Sequence, residues 1–157
     1  PSSFFLHCMI GQVAMQRGLA NLGASVNVMP LSLYMMIDLG ELSPTKVCIQ
    51  LVDKSIKMPC GVIEDVIVRV GKFLFQMDFL VIDTRSVDVS LILGRPFLNT
   101  SKAVIDVFEG KLTLRVGKEE ATFQLIHGMK YLDDWDDGEF DDSFHMASVY
   151  TINDFVY

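Results

Sequence analysis

The sequence predicts an all-β domain with one or two short helices. Three observations support this class: apolar and polar residues alternate over short stretches, turn residues separate these stretches, and no strand–helix–strand rhythm recurs along the chain. The chain has 157 residues, of which 50% are hydrophobic, so it can bury one sizeable core. We therefore expect a single β-rich domain.

The first part of the chain is predicted to be a hairpin followed by a short strand. Residues 4–10 and 13–20 are two apolar-rich arms, and the Gly-Gln pair at 11–12 separates them as a turn would. A turn rich in small residues follows, and residues 26–29 form the next short strand.

Pro30 is predicted to open a helix over residues 31–39, because its fixed φ suits a helix start. Gly40 would end that helix. Its apolar face would consist of Leu31, Tyr34, Met35 and Leu39.

The middle of the chain is predicted to contain two hairpins. Residues 46–52 alternate as a strand, residues 53–55 are polar enough to form a loop, and the second arm begins near Ile56. Residues 61–70 and 73–82 form the longer hairpin, joined by a Gly-Lys turn.

Further strands are predicted in the second half. Residues 91–93 form a short apolar strand that ends at Gly94, and Pro96 then suits the first turn of a helix. Residues 103–107 and 110–116 supply closing hairpins.

Charge divides the chain into a balanced body and an acidic tail. Residues 1–132 hold 13 Lys and Arg against 12 Asp and Glu, whereas residues 133–157 hold 8 acidic residues and no Lys or Arg. We predict a domain over residues 1–126 and a flexible acidic tail or linker over residues 127–157. The acidic run lacks the ligand spacing of a calcium loop, and no basic cluster indicates direct nucleic-acid binding by the domain.

The reactive side chains indicate no metal and no cofactor. Cys8, Cys48 and Cys60 are an odd number at no metal-ligand spacing, which favours reduced thiols in an intracellular, cytoplasmic protein. Residues 18–37 carry no charge, but Gly, Pro and polar residues interrupt them. We expect soluble core there and no membrane partner.

Two motifs carry a resemblance to a known family. Residues 20–30 read ANLGASVNVMP, and residues 92–98, about seventy positions after the first motif, read ILGRPFL. The first resembles the catalytic turn of aspartic peptidases, in the Asp-Leu-Gly-Ala-Ser form found in retrotransposon polyproteins. The second resembles the family's hydrophobic-hydrophobic-Gly motif, whose strand passes beside that turn. The sequence departs from the family at Asn21, where the family has its catalytic Asp.

The resemblance to the retropepsin-like domain of a plant gypsy-class retrotransposon polyprotein implies a closed β-barrel, a single lobe of an aspartic peptidase that homodimerises to complete its site. The implied catalytic triplet is Asn21, Leu22 and Gly23. The implied substrate-binding residues are Ala24 and Ser25, with Asp53, Lys54, Ser55 and Ile56 at the tip of a flap. The implied supporting strand is Ile92, Leu93 and Gly94.

Two functions remain open at this point. The first is an aspartic endopeptidase made inactive by Asn21, acting on a peptide or polyprotein substrate. The second is a non-catalytic retropepsin-like module that dimerises or binds peptides. Asp53 and Asp65 are the nearest candidates for a replacement carboxylate, but a flap covers substrate from the opposite side, and Glu64 and Asp65 are expected in solvent. The resemblance also implies that Arg95 lacks a carboxylate partner, because Ser25 stands at that place.

Overall fold

The computed structural model describes residues 3–11, 16–51, 54–84, 91–124, 126–127 and 146–151. The first strands are β1 (Ser3–Ile10), β2 (Gln16–Asn21), β3 (Val28–Pro30), β4 (Val47–Leu51), β5 (Ile56–Lys57), β6 (Gly61–Val70) and β7 (Phe73–Ile82). The later strands are β8 (Leu91–Leu93), β9 (Val104–Asp106), β10 (Lys111–Val116), β11 (Glu119–Gln124), β12 (Ile126–His127) and β13 (Met146–Thr151). The helices in these ranges are α1 (Leu31–Met36) and α2 (Arg95–Thr100). The predicted class, mainly β with short helices, is confirmed.

Six of these strands close into a barrel. Their order is β1, β2, β8, β3, β7 and β6, and β6 pairs with β1 to complete the circle. At the closing seam Met9 lies opposite Arg69 and Ile10 lies opposite Val68. Closure pairs backbone groups that an open sheet would leave unpaired at its edges. The prediction of a closed barrel is confirmed.

The barrel interior is filled by alternating apolar side chains. Along β7 the residues Phe73, Phe75, Met77 and Phe79 are buried, and the residues between them are exposed. Phe75 also meets Phe97 of α2 edge to face, with ring centroids 5.4 Å apart. This helix therefore packs against the core.

A β-bulge keeps the interior face of β6 apolar. The pairing of β6 with β7 shifts between Ile63 and Val66, and Asp65 takes a positive φ of 58°. Glu64 and Asp65 both point to solvent, as expected. Without the extra residue, the strand's period of two would turn the residues after Ile63 away from the core.

A second buried cluster lies outside the barrel core. It is formed by Ala24, Val28, Ile49, Leu80, Ile82 and Ile92. Ile49 belongs to β4, so the hairpin of β4 and β5 packs against the turn after β2 and against β8. Both faces of the barrel wall are therefore covered at this position, which explains why its strands are continuously apolar.

The strands after α2 form a separate three-stranded antiparallel sheet of β9, β10 and β11. It is anchored to the barrel because Leu112 and Leu114 are fully buried in the main core. The closing hairpin predicted from residues 103–116 is found as β9 and β10, whereas β11 was not predicted.

The structure corrects several predicted elements. Helix α1 ends at Met36, because Ile37 is already extended with φ −120° and ψ 133°. Met35, predicted on the apolar face, is 76% exposed, and Leu33 is the buried residue instead. The strand predicted at residues 26–29 lies at Val28–Pro30. Tertiary packing selects the buried face of so short a helix.

One strand, β12, lies at the end of the predicted domain, and another, β13, lies beyond it. β12 pairs with β1, and β13 pairs with β4. Strand β13 falls within residues 127–157, for which a flexible tail or linker was predicted. Residues 128–145, with the acidic run, lie outside the described residues. Within the described ranges no helix has the length and hydropathy needed to cross a bilayer.

Candidate functional site

The candidate site is the turn that follows β2, and Asn21 is the last residue of that strand. Asn21 is only 7% exposed, while Leu22 is 45% exposed and Gly23 is exposed as well. The Gly23 N–H donates to Asn21 Oδ1 at 2.8 Å, and the Ala24 N–H donates to the Asn21 carbonyl at 3.2 Å. The side-chain amide is thus held by the turn that it begins.

Strand β8 lies between the two strands that flank this turn. It runs parallel to β2, with Ala20 opposite Leu93, and antiparallel to β3, with Val28 opposite Ile92. Leu93 is therefore next to the residue that precedes Asn21. The two sequence motifs, about seventy residues apart, are brought together as expected.

Gly94 allows β8 to end directly against the turn. A Cβ at this position would lie 2.3 Å from the Val26 carbonyl oxygen and 2.9 Å from that of Ala24. Both are backbone atoms, so the clash could not be relieved by a side-chain movement. The Arg95 N–H then donates to the Ala24 carbonyl at 2.9 Å, which ties the start of α2 to the turn.

Asn27 is a structural residue of the site that the sequence analysis missed. It is 2% exposed, its Oδ1 accepts the Gly94 N–H at 2.8 Å, and its Nδ2 donates to the Asp78 carbonyl at 3.2 Å. One side chain therefore joins the turn region to β7 and to the end of β8. Its signal in the sequence was an amide between two valines, in a stretch that was predicted as a strand and is otherwise apolar.

Ser25 lies in the same turn, and its side chain points into the protein. Its Oγ is buried and has no hydrogen-bond partner among the described residues. Arg95 is exposed, and the ion pairs found in the described ranges do not include it. The bracing pair that the resemblance associates with these two positions is absent from the described part of the chain.

The predicted flap is a hairpin of β4 and β5, with Gln50 opposite Ile56 and Ile49 opposite Lys57. Lys54 has a positive φ of 67°, as a tight loop requires. Lys54 and Ser55 are exposed, and Ile56 is 48% exposed. Asp53, the fourth predicted residue of the tip, lies outside the described residues.

Asp65 forms hydrogen bonds between β6 and β7, with Gln76 and Asp78. Its Oδ1 accepts from Gln76 Nε2 at 2.9 Å, and its N–H donates to Asp78 Oδ1 at 3.0 Å, both across the β6 bulge. In the described part of the chain, no group of three or more His, Cys, Asp or Glu residues could hold a metal ion. The carboxamide of Asn21 donates and accepts hydrogen bonds but is neither an acid nor a base near neutral pH.

Taken together, a six-stranded closed barrel and a small-residue turn beside an inserted apolar strand define a retropepsin-like fold. Comparison with known proteins agrees with this. No protein-family model and no curated protein matches the chain. Among solved structures 31 chains match, including the retroviral protease-like domain of Ddi1 from Leishmania major. That domain shares 22% identity and a TM-score of 0.56, over 73% of this chain and 88% of its own. At this identity the likeness establishes the fold.

Proposed function

We propose that this chain is the retropepsin-like aspartic peptidase domain of a retrotransposon polyprotein, of the plant gypsy class, and that Asn21 leaves it without endopeptidase activity. The observation that carries the proposal is the position of Asn21. It ends β2 beside the inserted strand β8, in a turn whose next residues are exposed.

The chemistry follows from what an amide cannot do. In an aspartic peptidase two carboxylates about 3 Å apart share a proton, so that one activates water while the other polarises the scissile carbonyl. A carboxamide can bind the water but cannot accept its proton. One substitution in the sequence removes both carboxylates of a symmetric dimer, and the catalysis lost is about 10²- to 10⁴-fold or more.

Homodimerisation is part of the proposal, because each chain supplies one such turn. The exposed Leu22 next to Asn21 is where the second copy would approach. The second candidate function, a non-catalytic module that dimerises or binds peptides, is supported by the same geometry. The exposed edge strand β5 could still hold an extended peptide by strand addition.

The test is Asn21→Asp, assayed for cleavage of a peptide library at mildly acidic pH. The first function predicts that this variant cuts peptides and that pepstatin inhibits it, while the unmodified chain does not cut. Asn99→Asp, on the exposed side of α2, is the matched control for adding a carboxylate. A folded, dimeric Asn21→Asp variant without activity would favour the second function. Cleavage by the unmodified chain would refute the proposed inactivity.

A further inference from the structure

Strand β4 is paired along both of its edges, and the strand on its longer paired edge comes from the far end of the chain. β5 pairs with β4 at two positions only, Ile49 and Gln50. On the other edge β13, Met146–Thr151, pairs antiparallel with β4 from Val47 to Leu51. β13 therefore takes the backbone N–H and C=O groups through which an extended peptide would join β4.

Strand β4 lies against the candidate site. Ile49 is fully buried in the cluster that contains Ala24 of the turn and Ile92 of β8. Cys48, the residue before it, faces the opposite side of the strand and is 2% exposed. Since residues on both faces of β4 are buried, its hydrogen-bonding edge is where another strand can join it.

The sequence of β13 differs from the acidic tail that contains it. Residues 133–157 hold 8 acidic residues, yet residues 143–153 contain no Asp, Glu, Lys or Arg. β13 reads MASVYT, and its Val, Tyr and Thr are residues that favour strands. β4 reads VCIQL and is uncharged as well, so pairing the two strands removes no charged side chain from water. The composition of this segment therefore suits the β4 edge, unlike that of the acidic run before it.

We propose that Met146–Thr151 is a covering strand, which occupies the β4 edge of its own chain and keeps extended peptides from joining the hairpin there. A peptide can pair with β4 only when the covering strand leaves, because both use the same backbone groups. If at least about nine chains in ten are covered, the apparent affinity for an added strand is lowered by at least about tenfold. The inference deepens the second candidate function and rests on it for the ligand, an uncharged extended peptide.

The pairing is tested in the full chain with a cross-strand disulfide. Tyr150 lies opposite Cys48 in the ladder, and opposite residues of an antiparallel pair are close enough for a disulfide. With the exposed Cys60 replaced by Ser, Tyr150→Cys should form a bridge to Cys48 in a glutathione redox buffer, detected by peptide mapping. Val149→Cys is the control and should not form it, because successive strand positions face opposite sides. No bridge in Tyr150→Cys, or a bridge between two chains, would overturn the inference.

The exclusion of peptides is tested by fluorescence anisotropy with a labelled synthetic peptide of sequence MASVYT. The double variant Val149→Pro, Tyr150→Pro should uncover β4, because the N–H groups of consecutive residues point to opposite sides and one of the two belongs to the ladder. We expect it to bind the peptide at least about tenfold tighter than the unmodified chain. The matched control is Phe155→Pro, Val156→Pro, which lies beyond β13 and should bind as the unmodified chain does.

The remaining outcomes also decide the inference. Equal affinity of the uncovered variant and the unmodified chain, or no binding by either, would overturn it even where the disulfide forms. The oxidised Tyr150→Cys protein should bind the peptide more weakly than its reduced form, and tighter binding would contradict the exclusion. The peptidase proposal is judged separately by Asn21→Asp, whose failure to cut peptides would change neither the disulfide nor the affinity for the labelled peptide.

Discussion

Replacing Asn27 with Ala is expected to destabilise the protein by about 2–4 kcal/mol, because both hydrogen bonds of a buried amide are lost. Asn27 is 2% exposed and bonds the Gly94 N–H at 2.8 Å and the Asp78 carbonyl at 3.2 Å. An unpaired buried group costs about 1–3 kcal/mol, and the longer bond to Asp78 contributes the smaller share. The free energy of unfolding of native domains is only about 5–15 kcal/mol, so a loss of this size is easily measured.

Urea unfolding followed by circular dichroism is the assay. With an m-value of about 1–3 kcal/mol/M, the midpoint should fall by about 1–2 M without a change in slope. Asn99→Ala, on the exposed face of α2, is the control and should stay within about 0.5 kcal/mol of the parent. A midpoint for Asn27→Ala that equals this control would refute the structural role given to Asn27.

Asn27→Asp separates the two hydrogen bonds. The carboxyl group can still accept from Gly94, but it can donate to the Asp78 carbonyl only when protonated. Burial and that carbonyl both raise the pKa of such a carboxyl in the folded state. The variant should therefore approach parental stability in acid and lose it as pH rises from the ordinary Asp pKa through the raised folded-state pKa. A variant whose deficit is the same at all pH values would contradict this.

Three further predictions concern the same part of the molecule. Gly94→Ala should destabilise the protein by about 3 kcal/mol or prevent folding, because its Cβ would lie 2.3 Å from the Val26 carbonyl oxygen. The control Gly117→Ala, at φ +61° with open space around it, should lose only about 1 kcal/mol of stability in the same urea assay. Ser25→Ala should be neutral or stabilising by up to about 1 kcal/mol in the isolated chain, because it removes a buried hydroxyl that has no hydrogen-bond partner among the described residues. A clear loss of thermal stability in this variant would show that the hydroxyl is hydrogen-bonded. Burial raises the pKa of the Cys8 thiol from 9.0 to about 12. Iodoacetamide at about pH 8 should therefore modify the exposed Cys60 first and Cys8 only after unfolding. Equal labelling rates of the two thiols in the native protein would contradict the burial of Cys8.

Much of the fold could be predicted because its signals are local. Neighbouring residues are enough to show the period of two in β6 and β7, the Gly-Lys turn between them, and the proline before α1. The position of Asn21 beside the strand Leu91–Leu93 was also expected, but only through a resemblance between motifs. The direct residue pattern of β8 indicated nothing beyond a buried strand.

The misses share a long-range cause. Met35 was placed on the buried face of α1 from helical spacing, but the barrel that receives the helix covers Leu33 instead. The bulge at Glu64 and Asp65 depends on what β7 places opposite them, which the β6 sequence alone does not reveal. Strand β13 pairs with β4, a partner about a hundred residues earlier in the chain.

The sequence by itself determined that the chain is a β-rich domain, that its turns lie at glycines and short polar stretches, and that residue 21 is an amide. Only the tertiary structure decided that β8 inserts between β2 and β3 and that Asn27 bonds Gly94. The physical reason is one of range. Propensity and alternation act between neighbours in sequence, whereas hydrogen-bond satisfaction and close backbone approach join residues that are about seventy positions apart.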